Sequence, residues 1–342
     1  MEAKRYDGLD ILKAICAFFV VCIHVTFQGE LGTGVASLAR FAVPVFFMIT
    51  GFFYDKTVSN NKEKHQLKKI LILLIVSNVL YYLLMGFKAV SEGSFSKYAA
   101  ETFTLKSLFE FLVFNKTLSY GHLWYFGAIL YVLLIFFVLR KFVPQWEKAA
   151  YIITPILLVC NFVLGGYSFL KENEYDANIV VRNFLLTGFP CFTIGMFLKK
   201  YEKKTEFIKN SNILSVLLIA VFIATVFLEK MILTRLNATP NREVYISSIL
   251  LAAVLVIVFS KESWNGGRLK IAKTIGRKYS SLIYIFHPIF ISFVGNAALK
   301  LNLKSLYLPI APIAIFAATT VFAACYCFAK EKLKARINKK RS

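Results

Sequence analysis

An all-α, polytopic membrane bundle of about ten transmembrane helices is the fold class predicted by this sequence of 342 residues. Three observations predict it. The chain is 58% hydrophobic and 16% aromatic, with a mean hydropathy of +0.62, far outside the range of soluble domains. Apolar stretches recur from end to end, at lengths near the roughly 20 residues that a helix needs to cross a bilayer. The 41 Lys and Arg residues crowd into alternate connecting segments rather than onto one face. The formal charge of +22 is therefore read as membrane topology, and nucleic acid is not expected as a partner.

The expected spans are 9–27, 38–54, 69–87, 122–139, 150–169, 183–198, 212–229, 244–260, 280–298 and 306–329. An even number leaves both termini on one side. Counting Lys69 and Arg40 with the loops they adjoin, the N-terminus, the loops at 55–68, 140–149, 199–211 and 261–279, and the tail together hold 28 Lys/Arg. The opposite loops hold 12, and Lys13 sits inside the first span. That asymmetry predicts both termini in the cytoplasm of a multi-pass protein of the cell membrane. The division expected is a transmembrane domain over 1–329 and a basic tail over 330–342, whose Lys330, Lys332, Lys334 and Arg336 would lie against anionic membrane lipid.

The first span carries Asp10, Lys13 and His24. Eleven residues return an α-helix to within about 20° of its starting direction, so Lys13 and His24 share a face, and Asp10 lies within about 40° of it. Ionisable groups in hydrocarbon normally face a polar cavity, which makes this stripe the leading functional clue. A neutral imidazole at position 24 suits a general base acting on a hydroxyl. Basic residues precede this span as in a signal peptide, but its length and charges read as a retained helix.

In the second span, Arg40 is either an interfacial anchor or a substrate contact, Pro44 and Gly51 serve bending and close packing, and Thr50 bonds its own helix. At the start of the third, Lys68 and Lys69 are accounted for by positive-inside charge, with phosphate attraction as an additional reading. The fourth opens Tyr120-Gly121-His122-Leu123-Trp124-Tyr125, an aromatic belt or the stacking face for a sugar, with His122 at the depth of His24. The sixth is short, carries Gly188, Pro190 and Gly195, and opens with Arg182, which snorkels or binds the acceptor. In the ninth, His287 precedes the helix-breaking Pro288 at a depth where a histidine is costly unless it lines a cavity.

The six cysteines all lie in apolar stretches and read as small buried hydrophobes, and no metal is expected. Phosphate-binding G-x-x-x-x-G-K-[ST], H-E-x-x-H and G-x-S-x-G patterns are missing from the sequence.

Five motifs in order resemble acyltransferase family 3. They are Gly-Leu-Asp-x-x-Lys…His from Gly8 to His24, Val-Pro-Val-Phe-Phe-x-x-Thr-Gly-Phe-Phe from Val43, His-Leu-Trp-Tyr from His122, Arg-Asn-Phe-Leu…Gly-Phe-Pro from Arg182 and Tyr-x-x-His-Pro from Tyr284. The resemblance implies about ten helices, a membrane-embedded site, cytoplasmic acyl-CoA (acetyl-CoA) as co-substrate, and a cell-surface glycan or lipid-linked sugar as acceptor. It also implies that His24 is essential, that Lys13 replaces a usual arginine, losing that residue's bidentate fork, and that Lys68 and Lys69 stand where CoA-binding basic residues occur. The same fold forms the membrane part of membrane-bound serine racemases, which continue into a soluble racemase domain; this sequence stops at Ser342 and, if complete, is expected to lack one, while a domain removed after Ser342 is not legible.

The expected function is therefore O-acyl transfer, most simply of acetyl. His24, Lys13 and Asp10 form the catalytic stripe, His122, Trp124, Arg182, Arg40 and His287 contact substrate, and Lys68 and Lys69 attract the donor. The thioester is expected to pass Lys13 and His287 on its way to His24. The rival reading is a transporter that conducts a small polar solute or lipid-linked sugar along the same stripe. Acceptor identity, acyl length and oligomeric state are not legible.

Overall fold

The computed structural model describes residues 6–117, 119–166, 181–236, 244–261, 264 and 269–341. Lys4, Arg5, Lys171, Arg242 and Arg268 of the charge count, residues 167–169 of the fifth expected span, and Ser342 lie outside the described residues. So do the side chains of Lys339, Lys340 and Arg341. Among the described residues the structure is helical and contains no strand.

Every expected span is met by a helix. These are α1 (Asp7–His24), α2 (Gly29–Ser59), α3 (Glu63–Ser91), α4 (Gly121–Phe142), α5 (Trp146–Gly165), α6 (184–200), α7 (Asn212–Arg235), α8 (Ile246–Phe259), α9 (Lys270–Lys300) and α10 (Lys304–Asn338). Seven of them, all but α1, α6 and α8, are long and apolar enough to cross a membrane. The three exceptions have separate causes. Helix α1 has only 18 residues, three of them charged. Helix α8 has 14 residues, about 21 Å at 1.5 Å per residue. Helix α6 starts with a π-turn over Phe184–Gly188, and its α-helical part covers only Phe189–Lys200. Two short helices, Phe95–Thr102 and Leu105–Phe114, lie between α3 and α4.

Several helices overrun their expected spans; at the start of α9 and the end of α10 the cause is that charges taken for loop sit within helices. Helix α9 begins at Lys270 rather than 280 and runs through a π-turn at Ile275–Tyr279. Its cations are accommodated by partners: Lys273 and Arg277 pair with carboxylates of α1, and Lys278 pairs with Glu331 of α10 at 2.9 Å. Likewise the helix of α10 runs unbroken from Ala311 to Arg341, so the expected division at 329/330 falls inside a helix.

The described residues group into two compact units. One comprises the described parts of Met1–Phe46, Thr205–Asn241 and Leu250–Ser342. Its core joins α1, α9 and α10 through buried Ala17, Val21, Ile283 and Ile315, with Phe18 and Phe316 edge to face at 5.4 Å. Helices α1 and α9 approach so closely that a Cβ on Gly276 would stand 1.7 Å from the Asp10 carbonyl oxygen. Only glycine permits that crossing.

The other unit comprises Phe47–Lys204 and the described part of Arg242–Ile249. The second half of α2 and α6 meet at a reciprocal glycine contact: a Cβ on Gly51 would lie 2.0 Å from Phe192 O, and one on Gly195 1.9 Å from Met48 O. Around it pack the buried rings of Tyr54, Phe136 and Phe192. The Tyr54 hydroxyl donates to Glu63 Oε1 at 2.8 Å, and Arg140 pairs with the other Glu63 oxygen, tying the ends of α2, α3 and α4 together.

Candidate functional site

In the first unit, sequence and backbone combine at two places along α1. At its C-terminal end, the His24 ring stands 4.9 Å from that of His287, centroid to centroid and tilted by 44°. His24 is exposed, whereas His287 is fully buried behind it. The His-Pro step explains how His287 is held. Pro288 has no N–H, so the Tyr284 carbonyl four residues back loses its helical donor. His287 Nδ1 takes that place, 2.9 Å from Tyr284 O and 3.1 Å from Ile283 O. Carbonyls only accept, so Nδ1 carries the proton, and in the neutral ring Nε2 is the basic nitrogen.

His287 was expected beside Lys13 on the donor path; the structure places it against His24 instead. The reason is the early start of α9. Measured from Lys270, residue 287 lies about 25 Å along the helix at 1.5 Å per residue, rather than about 10 Å from a start at 280.

Toward the N-terminal end of α1, five charges interlock. Lys273 Nζ donates to Asp7 Oδ2 at 2.9 Å, and the Lys273 side chain is only 8% exposed. Arg277 grips Asp10 Oδ2 through Nε at 2.9 Å and Nη2 at 2.7 Å, and reaches Asp7 Oδ1 at 3.2 Å. Lys13 donates to Asp10 Oδ1 at 3.1 Å. Among the described residues, three cations and two carboxylates thus meet where α1 and α9 cross at Gly276. Asp10 serves as the hub of this clamp. Lys13 and His24 stand on opposite parts of α1, about 16 Å apart along its axis.

Asp7, Lys273 and Arg277 were missed by sequence reasoning. Their signal was present as Asp7/Asp10 at a spacing of three and Lys273/Arg277 at a spacing of four, each pair on one helix face. Nothing in the sequence says that those two faces meet. Arg40, also in this unit, is buried on the turn Ala39–Phe41 at 7% exposure, so it does not reach out as an interfacial anchor.

The remaining expected site residues belong to the second unit. His122 is buried between Tyr81 and Tyr120, with ring centroids 5.0 and 5.2 Å away. Trp124 neighbours Phe47 at 6.1 Å. The Arg182 guanidinium lies alongside Gly121, next to His122 in the chain; Nη1 is 3.5 Å from the position of a Cβ on that glycine. Asn115, another residue missed by sequence, organises this corner. Fully buried, it accepts from Phe184 N at 2.7 Å and donates to Arg182 O at 3.1 Å and Trp124 O at 3.4 Å. Its left-handed backbone, φ 50°, suits asparagine and ends the helix Leu105–Phe114. Lys68 and Lys69 are exposed on α3. Lys200, at the end of α6, has its ammonium pKa raised above the usual lysine value by its hydrogen bond to Glu147. Among the described residues, no three His, Cys, Asp or Glu side chains gather as a metal site requires.

A family model described as an acyltransferase domain matches residues 6–329. Two Enterococcus faecalis proteins, each named an amino-acid racemase, are similar to the chain. One is 26% identical over 321 residues, covering 85% of this chain and 42% of the relative. The other is 30% identical over 177 residues, covering 49% and 23%. The chain thus spans less than half the length of these curated relatives. No solved structure matches it.

Proposed function

The chain belongs to the acyltransferase-domain family, and from that membership we propose that it carries an acyl group, most simply acetyl, from cytoplasmic acyl-CoA to a hydroxyl of an extracytoplasmic glycan or lipid-linked sugar. The observation that carries the reading is the imidazole pair: an exposed His24 backed by a buried His287 whose tautomer is fixed by Tyr284 O. His24 takes the proton of the acceptor hydroxyl as its oxygen bonds to the thioester carbonyl carbon. The carbon–sulfur bond then breaks, and the proton passes from the imidazolium to the departing CoA thiolate. The buried His287 ring stands 4.9 Å behind that of His24 and limits where it can turn. Lys13, at the more exposed edge of the Asp7–Asp10–Lys13–Lys273–Arg277 clamp, attracts the anionic donor to the N-terminal end of α1, the end that the charge asymmetry assigns to the cytoplasm.

The test compares cells carrying wild type and His24→Ala, at equal protein levels, for base-labile acyl esters on surface glycans. Loss of the esters is expected, and unchanged ester content removes the enzyme reading. A second reading rests on the interrupted start of α6: the fold conducts a small polar solute across the membrane without making a bond, and the relatives' names suggest an amino acid as the solute to test. Uptake of labelled serine into vesicles, independent of acyl-CoA and retained in His24→Ala, would select it.

A further inference from the structure

A groove of about 660 Å³ opens on the surface of the first unit, where α1, α10 and the start of α9 come together. Ala14, Ile15 and Phe18 of α1, Ile275 of α9 and Phe316 of α10 make its walls hydrocarbon. Neither the imidazole pair nor the charge clamp uses these side chains. The order of the walls follows from the helix crossing. Gly276 meets α1 between the Asp10 carbonyl and the Ala14 amide, so Ile275 lies level with Ala14. Lys270 then stands about 8 Å toward the N-terminal end of α1, and Phe18 about 6 Å the other way, at 1.5 Å per residue. Phe18 and Phe316, edge to face at 5.4 Å, floor the far end. The groove is thus elongated and apolar, with a lysine at its mouth.

Lys270 decides what such a groove takes. Among the described residues of the lining it carries the charge, and no carboxylate is present. The cations around it are answered: Lys13 by Asp10, Lys273 by Asp7, Arg277 by both, and Lys278 by Glu331. Among the described residues, no carboxylate lies within ion-pair reach of Lys270, which is exposed. Leu269 and Ile271, on either side of it, are 54% and 78% exposed. A cation between two outward-facing apolar side chains suits a membrane interface, with hydrocarbon against the chains and phosphate at the ammonium. The charge asymmetry assigns this end of α9 to the cytoplasm, where basic pockets between membrane helices take anionic lipid heads. A nucleotide or sugar would find no hydrogen-bonding side chain in these walls besides Lys270, whereas a phosphodiester needs only that charge.

We propose that the groove between α1, α9 and α10 binds one chain of an anionic phospholipid, with its phosphate on Lys270. The proposal is independent of the acyl-transfer reading.

The experiment compares phosphatidylglycerol and phosphatidylcholine, each with a diazirine in one acyl chain. They are added at equal mole fraction to the full chain in phosphatidylcholine nanodiscs. Photolysis is expected to label α1, α9 and α10 at the groove about fivefold more with phosphatidylglycerol, the gain that one lysine near a phosphate supplies. On the exposed apolar surface of α7, around Val216 and Val221, the two lipids should label equally. Lys270→Gln should remove the preference at the groove, and Lys64→Gln, at an exposed lysine of α3, should leave it. Ile15→Trp, at a half-buried wall position, should cut groove labelling by both lipids. Thermal unfolding verifies that the variants are folded, and Lys270→Gln, at an exposed position, keeps the test open should Ile15→Trp fail to fold. Equal labelling of the groove by the two lipids would mean ordinary boundary lipid. A preference surviving Lys270→Gln would place the phosphate elsewhere. Displacement of the label by palmitoyl-CoA but not by untagged phosphatidylglycerol would give the groove to the acyl donor. Any of these results overturns the proposal.

Discussion

His287 shows how one covalent peculiarity dictates a protonation state. The proline after it frees a backbone acceptor, the imidazole fills the gap, and its other nitrogen is thereby defined as the basic one. Asparagine can supply the same donor, as Asn78 does to Leu74 O in this protein. His287→Asn is therefore expected to unfold within about 1 kcal/mol of wild type, whereas His287→Leu, leaving Tyr284 O unpaired, should cost about 1–3 kcal/mol. Acyl transfer should fall by about 10²-fold or more in both, because neither has Nε2. Thermal unfolding in detergent and the ester assay measure the two effects separately, and an active His287→Asn would make the residue purely structural. His24 was visible in the sequence because an ionisable group near the end of an apolar helix is conspicuous. Its contact with His287 was not, since the two residues are 263 positions apart.

At the scale of the element, α1 and α9 depend on two features that must act together: a glycine that lets the backbones touch and a set of charges that locks them. Gly276→Ala places a methyl 1.7 Å from the Asp10 carbonyl, so the helices must separate, at about 1–3 kcal/mol. Breaking the buried pair by Lys273→Met should cost about 1–3 kcal/mol, because Asp7 loses a charged hydrogen bond but keeps Arg277. Asp7→Asn in the same chain should recover part of that loss. A double-mutant cycle on thermal unfolding gives the coupling, and additive losses would show that the pair is not energetically linked. Lys13→Met should cost less, because its ion pair is more exposed. The early start of α9 and the unbroken run of α10 follow the same logic. Lys273, Arg277 and Lys278 look like loop residues in isolation and become helical because a carboxylate on a neighbouring helix neutralises each.

On the scale of the whole molecule, the Lys/Arg asymmetry predicts sidedness. In a Cys325→Ser background, a membrane-impermeant maleimide should label Lys97→Cys in intact cells and Asn60→Cys only after permeabilisation. The reverse pattern would invert the topology. Apolar stretches of helical length determined the all-α bundle and the approximate places of α1 to α10, because burial in hydrocarbon forces every backbone group into a helix irrespective of neighbours. Ordered short motifs from Gly8 to Pro288 likewise pointed to the acyltransferase family whose model matches residues 6–329. Only the tertiary structure decided that His24 meets His287, that Asp7 and Asp10 answer Lys273 and Arg277, and that Asn115 knots the starts of α4 and α6. Hydropathy is a property of single segments, whereas ion pairs and ring contacts depend on which faces of two helices come together, and that is set by packing between residues hundreds of positions apart.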